Sequence, residues 1–482
     1  MSTAANPRAG WRRTKIVATI GPASREPEIL RELIDAGVDV TRLNFSHAGP
    51  AEHAETIERI RAASEATGRE VGVLGDLPGP KLRLDELGGG GVVDLEAGSE
   101  LRLTQDEMLG TTECLPVSAP GLATAVTEGD SVFLADGRIR LAVQGTDGDD
   151  VECTVEVGGP VASHQGVNLP GAERGLPAVG EHDLEWVDFA VDHGVDLLAV
   201  SFVRTRSDLE PVERRLAERG CDIPLIAKIE KPQAAQNAEE IVQATLSGIM
   251  VARGDLGIEV PIAQVPVLQK RLIALAGRNS KPVITATQML ASMVDASRPT
   301  RAEVTDVANA IYDGTDAVML SEETAVGDHP VAAVRVMEEI ARETEPNLPF
   351  GDWVFNRVAS DRDDVAASVA RAAVGSTYTL GLAALVVPTR SGRTARLVSA
   401  HRPSVPVLAV SERIETVRRL NLLFGVRCVQ SPNRDEFRDL LDDCARLARE
   451  NGVADSGDLI GVTAGLPGQD LGTNLFEVHR VP

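Results

Sequence analysis

Lys228 and Glu230 are the two residues that most directly indicate chemistry in this sequence. They lie two positions apart in the apolar segment IAKIEKP, and residues with that spacing point to the same face of a β-strand. A lysine and a glutamate among apolar neighbours are costly unless they pair with each other or act on something else. A buried ion pair would satisfy this condition, but we favour a functional role for both.

Polar residues also end four other apolar segments. Arg42 lies in TRLNFSH, Asp76 in GDLPGPK, Asp255 in VARGDLG, and either Thr285 or Thr287 in ITATQML. An arginine at a strand end is suited to hold a phosphate or a carboxylate. Gly254 lets the backbone amides of Gly254 and Asp255 approach an anion. Each residue also has an ordinary alternative, such as a solvated arginine, a helix cap or a strand-forming threonine.

Taken together, these residues are typical of a site that binds a divalent cation and a phosphate. Glu230 and Asp255 offer hard oxygen ligands, which suit magnesium better than zinc. Arg42 and Lys228 offer positive charge to phosphate oxygens. The combination indicates a magnesium and phosphate site.

The elements that would position these residues form a regular repeat. Apolar segments alternate with longer amphipathic stretches between about residues 14 and 345, and eight are predicted strands: KIVATIG, VDVTRLNF, EVGVLGDL, VDLLAVSFV, PLIAKIE, GIMVARGD, PVITAT and DAVML. Eight such units with nearly continuous apolar strands predict an α/β fold, a (β/α)8 TIM barrel. In that fold the chemistry lies at the carboxyl ends of the strands.

Two more domains are predicted from the remaining segments. After the third strand, a GGGG run and strand-like pieces such as SVFLAD and IRLAVQG predict an inserted small β-barrel that acts as a lid; an insertion without a function is the alternative. Five later strands, from ALVVPT to NLFEVHRV, predict a C-terminal α/β domain. The predicted boundaries are 1–80 and 175–344 for the barrel, 81–174 for the lid and 345–482 for the C-terminal domain.

Composition excludes several classes of protein. The chain has 482 residues, a net charge of −24 and a pI near 4.8, so general binding to nucleic acid or to an anionic membrane is not expected. The N-terminal residues MSTAANPRAGWRRTK have no apolar core, which predicts a cytoplasmic protein. The chain contains six lysines, including Lys281, and such rare lysines mark candidate positions for a compact ammonium group.

The motifs resemble those of the pyruvate kinase family. The resemblance rests on TKIVATIGPAS, RLNFSH, GPKLR, GVNLPG, AKIE, MVARGDLG, TATQML, RPTRAEVTDVANAIYDGTDAVMLS and SGRTA, which keep the family's order along nearly the whole chain. The resemblance implies phosphoryl transfer from phosphoenolpyruvate to ADP, giving pyruvate and ATP in the last step of glycolysis. A charge-spread transition state of this kind needs cations and positioning rather than a covalent nucleophile.

The resemblance also implies a role for each catalytic residue. Lys228 would stabilise the transferring phosphoryl group, Arg42 would hold the substrate phosphate, and Glu230 with Asp255 would ligate Mg²⁺ or Mn²⁺. The amides of Gly254 and Asp255, with Thr287, would hold the substrate carboxylate. Thr287 acting with water is a candidate proton donor to enolpyruvate.

Nucleotide and monovalent-cation sites are implied in the same way. Asn44, Phe45, Ser46, His47 and Arg83 would lie by ADP or ATP, and Asn44 with Ser46 and Asp76 would form the family's potassium site.

Three departures from the family pattern alter these expectations. Potassium-requiring members have a pattern similar to D-T-x-G-P-E, and this chain has Leu77 in place of its threonine and Lys81 in place of its glutamate. We therefore expect the Lys81 ammonium to replace the potassium ion, so that activity does not require K⁺. A solvated lysine is the alternative. Gln165 stands where a lysine commonly precedes GVNLPG, which puts a nucleotide contact from the lid in doubt. Glu322 replaces the glycine of the common SGETA form.

The C-terminal domain contains a candidate anion site. Hydroxyls, a glycine and two arginines follow a predicted strand and open a helix, in the order Thr389, Arg390, Ser391, Gly392, Arg393 and Thr394. This loop resembles the family's pocket for a phosphorylated allosteric effector, and Gly465, Gly468 and Gly472 could form a loop over it. An N-cap with solvated arginines is the alternative. Allostery in the family works through a tetramer, so we expect a homotetramer.

Two other functions compete with this one. A lyase or aldolase that forms a metal enolate of pyruvate would also use Glu230 and Asp255, but it would need neither a lid nor Arg83 as a nucleotide clamp. A non-catalytic sensor would use the C-terminal loop alone, and retention of Lys228, Glu230 and Asp255 argues against it.

Overall fold

The alternation of strand and helix begins at the first residues that can be placed. The computed structural model describes residues 11–80, 82–118, 121–135, 137–169, 177–244, 247–359, 364–432, 437–465 and 472–482. The barrel starts with β1 (Lys15–Thr19), α1 (Pro27–Ala36), β2 (Val40–Asn44), α2 (Pro50–Thr67) and β3 (Gly72–Asp76). Lys81 and Gly468 lie outside the described residues.

The chain then leaves the barrel for an all-β segment. Its elements are β4 (Leu82–Arg83), α3 (Gly88–Gly91), β5 (Val92–Leu95), β6 (Glu100–Thr104), β7 (Cys114–Pro116), α4 (Leu122–Ala125), β8 (Ser131–Leu134), β9 (Ile139–Asp147), β10 (Asp150–Val157), β11 (Gly159–Ala162) and β12 (Gly166–Asn168).

This segment curls into a small barrel around its own apolar core. Seven strands pair in the order β4-β12-β8-β9-β10-β6-β7, and β11 pairs with β5. The two ends of the order meet where Leu84 bridges Val117, and the amide of Asp85 donates to the carbonyl of Pro116 at 2.9 Å. Closing a sheet in this way removes its exposed edges.

The chain returns to complete the first barrel. The elements are α5 (Glu181–Asp192), β13 (Leu197–Val200), α6 (Glu210–Glu218), β14 (Leu225–Ile229), α7 (Pro232–Gln236), α8 (Ala238–Ala244), β15 (Ile249–Ala252), α9 (Arg253–Glu259), α10 (Val265–Arg278), β16 (Val283–Ala286), α11 (Arg301–Asp313), β17 (Ala317–Leu320), α12 (Glu322–Ala325) and α13 (Pro330–Thr344).

Eight parallel strands close the predicted TIM barrel. Their order is β1-β17-β16-β15-β14-β13-β3-β2, and nearly every residue in them is buried. Strands covered on both faces are expected to be apolar throughout, which is why these segments could be recognised in the sequence. The lower half of the barrel is filled by small and branched side chains such as Val17, Leu74 and Ile226.

The last region is a five-stranded α/β domain. Its elements are α14 (Phe350–Asn356), α15 (Val365–Leu380), β18 (Ala384–Pro388), α16 (Arg393–Ala400), β19 (Val407–Ser411), α17 (Ile414–Arg419), β20 (Val426–Gln430), α18 (Phe437–Glu450), β21 (Leu459–Ala464) and β22 (Leu475–Arg480). The order is β20-β19-β18-β21-β22, parallel except for β22.

The C-terminal domain docks on the amino-terminal ends of the barrel strands. Leu422 joins the apolar cluster inside the barrel. Arg402 NH1 lies 2.7 Å from Asp316 Oδ1, just before β17, and the Glu345 carboxylate accepts from the amides of Arg13 and Thr14. The opposite, carboxyl-terminal face of the barrel is the face from which the inserted β-segment extends.

Helices in the described ranges are all too short or too polar to span a membrane.

Candidate active site at the strand ends of the barrel

Lys228 lies at the centre of a buried charge cluster. It belongs to β14, and its Nζ is 2.7 Å from Glu230 Oε1 and 3.2 Å from Asp76 Oδ1. It also donates to Ser201 Oγ at 2.8 Å. The strand periodicity inferred from IAKIE therefore brings Lys228 and Glu230 together, while Asp76 and Ser201 come from neighbouring strands.

Burial and charge act in opposite directions on Lys228. Burial alone lowers the pKa of its ammonium, but the carboxylates of Asp76 and Glu230 outweigh burial and raise this pKa above its ordinary value. Lys228 is therefore a permanent cation at neutral pH. It can stabilise negative charge but is unsuited to take or give a proton.

Arg42 occupies the other side of Asp76. Its Nε donates to Asp76 Oδ2 at 2.6 Å, and its NH1 donates to Thr19 Oγ1 at 3.1 Å. The remaining guanidinium N–H groups leave Arg42 able to contact a further oxyanion. Asp76 thus fixes two cations, one with each carboxylate oxygen.

Glu230 is held on both of its oxygens. Oε1 pairs with Lys228, and Oε2 accepts from the amide of Phe202 at 2.8 Å. Phe202 has φ of 56°, a left-handed conformation that is strained for an aromatic residue. In this conformation the Phe202 amide donates to Glu230, so the carboxylate is held in one orientation.

Asp255 enters the site from the first turn of α9, which follows β15 directly. The adjacent amide of Gly254 donates to Thr287 Oγ1 at 2.7 Å, and that hydroxyl donates to the carbonyl of Ala286 at 2.6 Å. The sequence assigned the Gly254 amide to a substrate carboxylate. In this structure that amide is engaged, so a carboxylate would have to share or replace the Thr287 oxygen.

Arg253 positions the Thr287 loop. Thr287 and Gln288 both have positive φ, at 71° and 53°, and Arg253 NH2 donates to the carbonyl of Thr287 at 2.8 Å. Arg253 NH1 forms a two-oxygen pair with Asp306 at 2.8 and 2.6 Å. The strained loop is therefore held by a clamp that the sequence did not reveal.

The residues after β2 divide into two groups. Asn44 Oδ1 accepts from the amide of Ser46 at 3.2 Å, and both side chains are half-buried at the rim, with His47 exposed beside them. The Phe45 ring is buried and stacks on Trp186, with centroids 4.4 Å apart. The ring of Phe45 therefore supports the loop from below, and its amide donates to the carbonyl of Asp76 at 3.0 Å.

The inserted β-segment approaches the barrel beside Asp255. In the turn between β8 and β9, a Cβ atom added to Gly137 would lie 3.5 Å from Ile258 of α9. Arg83 lies at the start of the lid and donates to the carbonyl of His164 at 2.8 Å. Gln165, where the family commonly has a lysine, accepts from the amide of Ala162 at 3.0 Å and closes a turn.

The donor set at the site fits a divalent cation. In the part of the chain that the structure describes, no three histidine, cysteine, aspartate or glutamate side chains cluster to form a metal site by themselves. Magnesium, however, commonly takes one or two carboxylates and completes its shell with water and substrate phosphate. Asp76, Glu230 and Asp255 exceed the two cations Lys228 and Arg42 by one charge, which also favours a bound cation.

The first departure from the family pattern has a partial structural account. Leu77 is buried and its side chain packs into the barrel core, where it can offer no ligand oxygen. Both Asp76 oxygens already contact Arg42 and Lys228. Lys81 lies outside the described residues, so the structure does not test the replacement of potassium by its ammonium.

The Glu322 departure is explained by exposure. Glu322 opens α12 with its side chain in solvent. The next residue, Glu323, is buried and accepts from the amides of Leu290 at 3.0 Å and Ser321 at 2.7 Å. Glu323 therefore holds the backbone at this strand end, and the exposed position 322 can accommodate a glutamate.

The C-terminal loop has the predicted position between β18 and α16. Thr389 Oγ1 accepts from the amide of Gly392 at 3.0 Å, and Arg393 NH2 lies 2.6 Å from Asp364 Oδ2. The Thr394 hydroxyl contacts that of Thr473. Gly472 lies near Arg393, so the late glycine-containing segment does approach this loop.

Comparison with known proteins agrees with this geometry. The family described as pyruvate kinase, barrel domain, matches residues 11–334, and pyruvate kinase, alpha/beta domain, matches residues 367–479. A pyruvate kinase from Mycobacterium intracellulare is 44% identical over 98% of this chain and 98% of its own length. One from Geobacillus stearothermophilus is 42% identical over 98% of this chain and 80% of its own length.

A solved structure supports the same assignment. The crystal structure of a pyruvate kinase from Cryptosporidium parvum has a TM-score of 0.91 and 36% identity, covering 98% of this chain and 96% of that chain. From the barrel, the inserted β-segment, the C-terminal domain and these relatives, we conclude that the chain belongs to the pyruvate kinase family of phosphotransferases.

Proposed function

We propose that this chain transfers the phosphoryl group of phosphoenolpyruvate to ADP. The bond between phosphorus and the enol oxygen breaks, a bond to a β-phosphate oxygen of ADP forms, and the enolate takes a proton at carbon to give pyruvate. The observation that supports this most strongly is the fixed array of Lys228, Arg42, Asp76 and Glu230, in which Asp76 contacts both cations and Glu230 pairs with Lys228.

Lys228 and Arg42 are proposed to carry the electrostatic part of catalysis. Negative charge spreads over the phosphoryl oxygens in the transition state. Lys228 is held as a cation by Asp76 and Glu230, and Arg42 is oriented by Asp76 and Thr19. Because both cations are fixed before the substrate arrives, little reorganisation is needed when the charge develops.

Glu230 and Asp255 are proposed to hold Mg²⁺ or Mn²⁺, which supplies further positive charge to the phosphoryl oxygens when bound. Glu230 is preoriented by the amide of Phe202. The specific metal is a prediction that replacement of Mg²⁺ by Mn²⁺ or Ca²⁺ in assays would test.

Thr287 is proposed to act at the enol end of the substrate. Its hydroxyl bridges the Gly254 amide and the Ala286 carbonyl. A substrate carboxylate that binds the amides of Gly254 and Asp255 would displace this hydroxyl from Gly254. The released Thr287 hydroxyl, with water, could then relay a proton to the enolate carbon.

The nucleotide is proposed to bind between the rim and the lid. Asn44, Ser46 and His47 lie at the rim, and Arg83 lies at the start of the lid. Arg83 donates to the His164 carbonyl in this structure, and its other N–H groups can meet a polyphosphate when the lid closes.

The direct test is an assay of pyruvate and ATP formation from phosphoenolpyruvate, ADP and Mg²⁺. Wild-type protein should form both products in equal amounts, and Lys228→Met should not, although its circular dichroism should match the wild type. Arg446, an exposed arginine on α18, supplies the control: Arg446→Met should keep wild-type rates. Products from Lys228→Met at the wild-type rate would refute the assignment of Lys228.

Regulation is proposed to act through the loop from Thr389 to Thr394. Arg390, Ser391 and Arg393 are exposed there, and a phosphorylated effector would meet their donors together with the start of α16. Arg393→Glu should abolish activation by any phosphorylated effector without changing the unactivated rate. An unchanged response would refute this location.

A homotetramer is proposed because two separate apolar surfaces are exposed. One lies on and beside α10 and α11 and includes Ile262, Val267 and Tyr312; the other lies on α15 and β22 and includes Tyr378 and Leu380. Two different isologous interfaces are what a tetramer with dihedral symmetry needs. Light scattering should give about four chain masses for wild type and about two for Val267→Glu.

The domain division and the location remain predictions. We propose 1–80 and 175–344 as the catalytic barrel, 81–174 as the lid and 345–482 as the regulatory domain, because each sheet of the described residues lies within one of these three parts. Limited proteolysis should cut first near these boundaries. We also propose a cytoplasmic location, which cell fractionation would test.

A further inference from the structure

The two proposed metal ligands come from neighbouring elements of the barrel rim. Glu230 directly follows β14, and Asp255 lies in the first turn of α9, which follows β15. The two strands pair in parallel, with Lys228 opposite Met250 and Ile229 opposite Val251. The separation of the Glu230 and Asp255 carboxylates therefore depends on how α9 is held against the end of β14.

A second pair of charged side chains joins the same two elements. Lys231 is the residue after Glu230, and Glu259 follows Asp255 by four residues on α9. Lys231 Nζ lies 2.7 Å from Glu259 Oε1, and the two side chains are only 4% and 3% exposed. Residues four apart share one face of a helix, so this ion pair holds the face of α9 that carries Asp255.

The helix α9 depends on contacts of this kind. It has seven residues, which is too few for a helix to be stable in isolation. Its last residue is Glu259, and a carboxylate in the last turn is unfavourable in the field of the helix dipole. The glutamate is therefore explained by its lysine partner across the rim and not by helix formation.

Lys231 also contacts the residue that orients Glu230. Its ammonium lies 5.1 Å from the centre of the Phe202 ring, which is within the range of a cation–π interaction. The amide of Phe202 donates to Glu230 Oε2 at 2.8 Å. A Cβ atom added to Gly79 would lie 2.5 Å from the same ring, so the ring has little room to move. One lysine thus contacts both the helix that carries Asp255 and the residue that holds Glu230.

Stability alone is a weaker explanation for this ion pair. Removing two charges from water is costly, and a buried ion pair is often no more stabilising than apolar residues of similar volume. What a charged hydrogen bond adds is a short and directional contact. Such a contact is useful where two carboxylates must keep a fixed separation.

From the ion pair, the shared face of α9 and the contact with Phe202, we infer that Lys231 and Glu259 are positioning residues for the divalent cation. They hold the Asp255 carboxylate at the distance from Glu230 that the cation requires. Because Glu259 balances the charge of Lys231, the pair adds no net charge to the site. The inference rests on the proposed metal site at Glu230 and Asp255.

The test measures Mn²⁺ binding to the full-length protein without substrates. The electron paramagnetic resonance signal of free Mn²⁺ falls as the ion binds, and binding that is lost in Asp255→Asn defines the proposed site. Lys231→Met and Glu259→Gln should each raise the Kd at this site by at least about tenfold, as expected when residues that orient metal ligands are changed. Arg446→Met breaks an exposed ion pair of the same length, 2.7 Å to Glu450, and should keep the wild-type Kd.

The signs of these changes separate positioning from simple charge. If the residues acted only through their charges, Lys231→Met would bind Mn²⁺ more tightly and Glu259→Gln less tightly. Positioning predicts weaker binding in both. The double variant Lys231→Met/Glu259→Met leaves no unpaired buried charge and should therefore fold. Its Kd should rise about as much as in one single variant, since all three changes remove the same contact.

Activity gives a second readout. Saturating Mn²⁺ should restore kcat of Lys231→Met to within about threefold of wild type, because a residue that only positions the cation is not needed once the cation is bound. The Mn²⁺ concentration for half-maximal velocity should rise by the same factor as the Kd. Lys228→Met should stay inactive at every Mn²⁺ concentration.

The outcomes distinguish this inference from the proposed function. Wild-type or tighter Mn²⁺ binding in Lys231→Met or in the double variant, with binding lost in Asp255→Asn, would overturn the positioning role and leave the metal site in place. Unchanged Mn²⁺ binding in Asp255→Asn would overturn the metal site and the positioning role together. A loss of kcat in Lys231→Met that excess Mn²⁺ does not restore would also overturn the inference.

Discussion

Asp76 Oδ2 accepts a hydrogen bond of 2.6 Å from Arg42 Nε, and the other oxygen of the same carboxylate lies 3.2 Å from Lys228 Nζ. One buried carboxylate therefore sets the position of both proposed catalytic cations. The family resemblance implied that Asp76 is a ligand for a monovalent cation. The structure adds a positioning relationship that does not depend on any ion.

Asp76→Asn should lower kcat by roughly 10² to 10³-fold, because the neutral amide can neither orient Arg42 nor balance the charge of Lys228. The measurement is steady-state pyruvate formation with both substrates varied. Asp306→Asn is a useful comparison, since it loosens the Arg253 clamp away from the cations and should raise KM more than it lowers kcat. A value of kcat for Asp76→Asn within threefold of wild type would contradict the positioning role.

Thr287 provides a second prediction about chemistry. Its hydroxyl is the atom that contacts the Gly254 amide at 2.7 Å. Thr287→Val keeps the shape but removes the hydroxyl, and should slow enolate protonation by roughly 10² or more. Thr287→Ser retains the hydroxyl and should retain most activity. Exchange of the methyl protons of pyruvate into deuterated water, followed by NMR, reports this step separately from phosphoryl transfer.

If Thr287→Val slowed pyruvate methyl-proton exchange and phosphoryl transfer by the same factor, Thr287 would not be the proton donor. That pattern would indicate a binding role, since both reactions would then depend on the same lost substrate contact.

Potassium dependence is the prediction attached to Lys81. Wild-type protein should form pyruvate in buffer whose only monovalent cation is tetramethylammonium. Lys81→Glu should lose at least about tenfold in velocity under those conditions and recover when K⁺ is added, because a carboxylate restores the need for an external cation. Arg446→Glu makes the same charge change at an exposed position on α18 and should not respond. Wild-type velocity near zero without K⁺ would refute the idea.

Most of the fold could be predicted from local sequence patterns. The eight barrel strands were recognisable because strands buried on both faces are nearly all apolar. Lys228 and Glu230 were recognisable because a polar pair at a spacing of two is conspicuous in such a strand. Arg42 and Asp76 were placed at strand ends by the same reasoning.

Contacts between side chains on different strands and helices could not be predicted from the sequence. Ser201 contacts Lys228 at 2.8 Å, but a serine after an apolar strand has no special signal. The Phe45 ring stacks on Trp186, which belongs to a helix far along the chain, and no local pattern predicts that contact. The two left-handed residues at Thr287 and Gln288 depend on the Arg253 clamp, which no local pattern encodes.

The contact between domains also yields a stability prediction. Arg402 and Asp316 are both buried, with NH1 and Oδ1 2.7 Å apart. Asp316→Asn leaves the arginine charge uncompensated and should destabilise the protein by about 3–5 kcal/mol. Glu450→Gln breaks an exposed pair with Arg446 and should change stability by less than about 1 kcal/mol. Thermal and urea unfolding of the two variants side by side would show whether burial makes this difference.

His401, the residue before Arg402, gives a prediction about acid stability. It is buried, and its Nδ1 lies 3.2 Å from the carbonyl of Val354. Burial lowers the pKa of His401 to about 4 from an ordinary value of 6.5, although the Val354 carbonyl opposes the shift. The folded protein therefore keeps this imidazole neutral under conditions in which the unfolded chain protonates it.

The direction of the effect follows from proton binding. Above pH 6.5 the imidazole is neutral in both states and contributes no pH dependence. Between pH 6.5 and about 4 the unfolded chain binds more protons, so the free energy of unfolding should fall by roughly 2–3 kcal/mol as the pH is lowered. His401→Asn can still donate to Val354 but does not titrate, so its stability should fall less steeply over this range. His182→Asn, at an exposed position, should follow the wild type, and identical acid slopes for His401→Asn and wild type would show that His401 does not control acid stability.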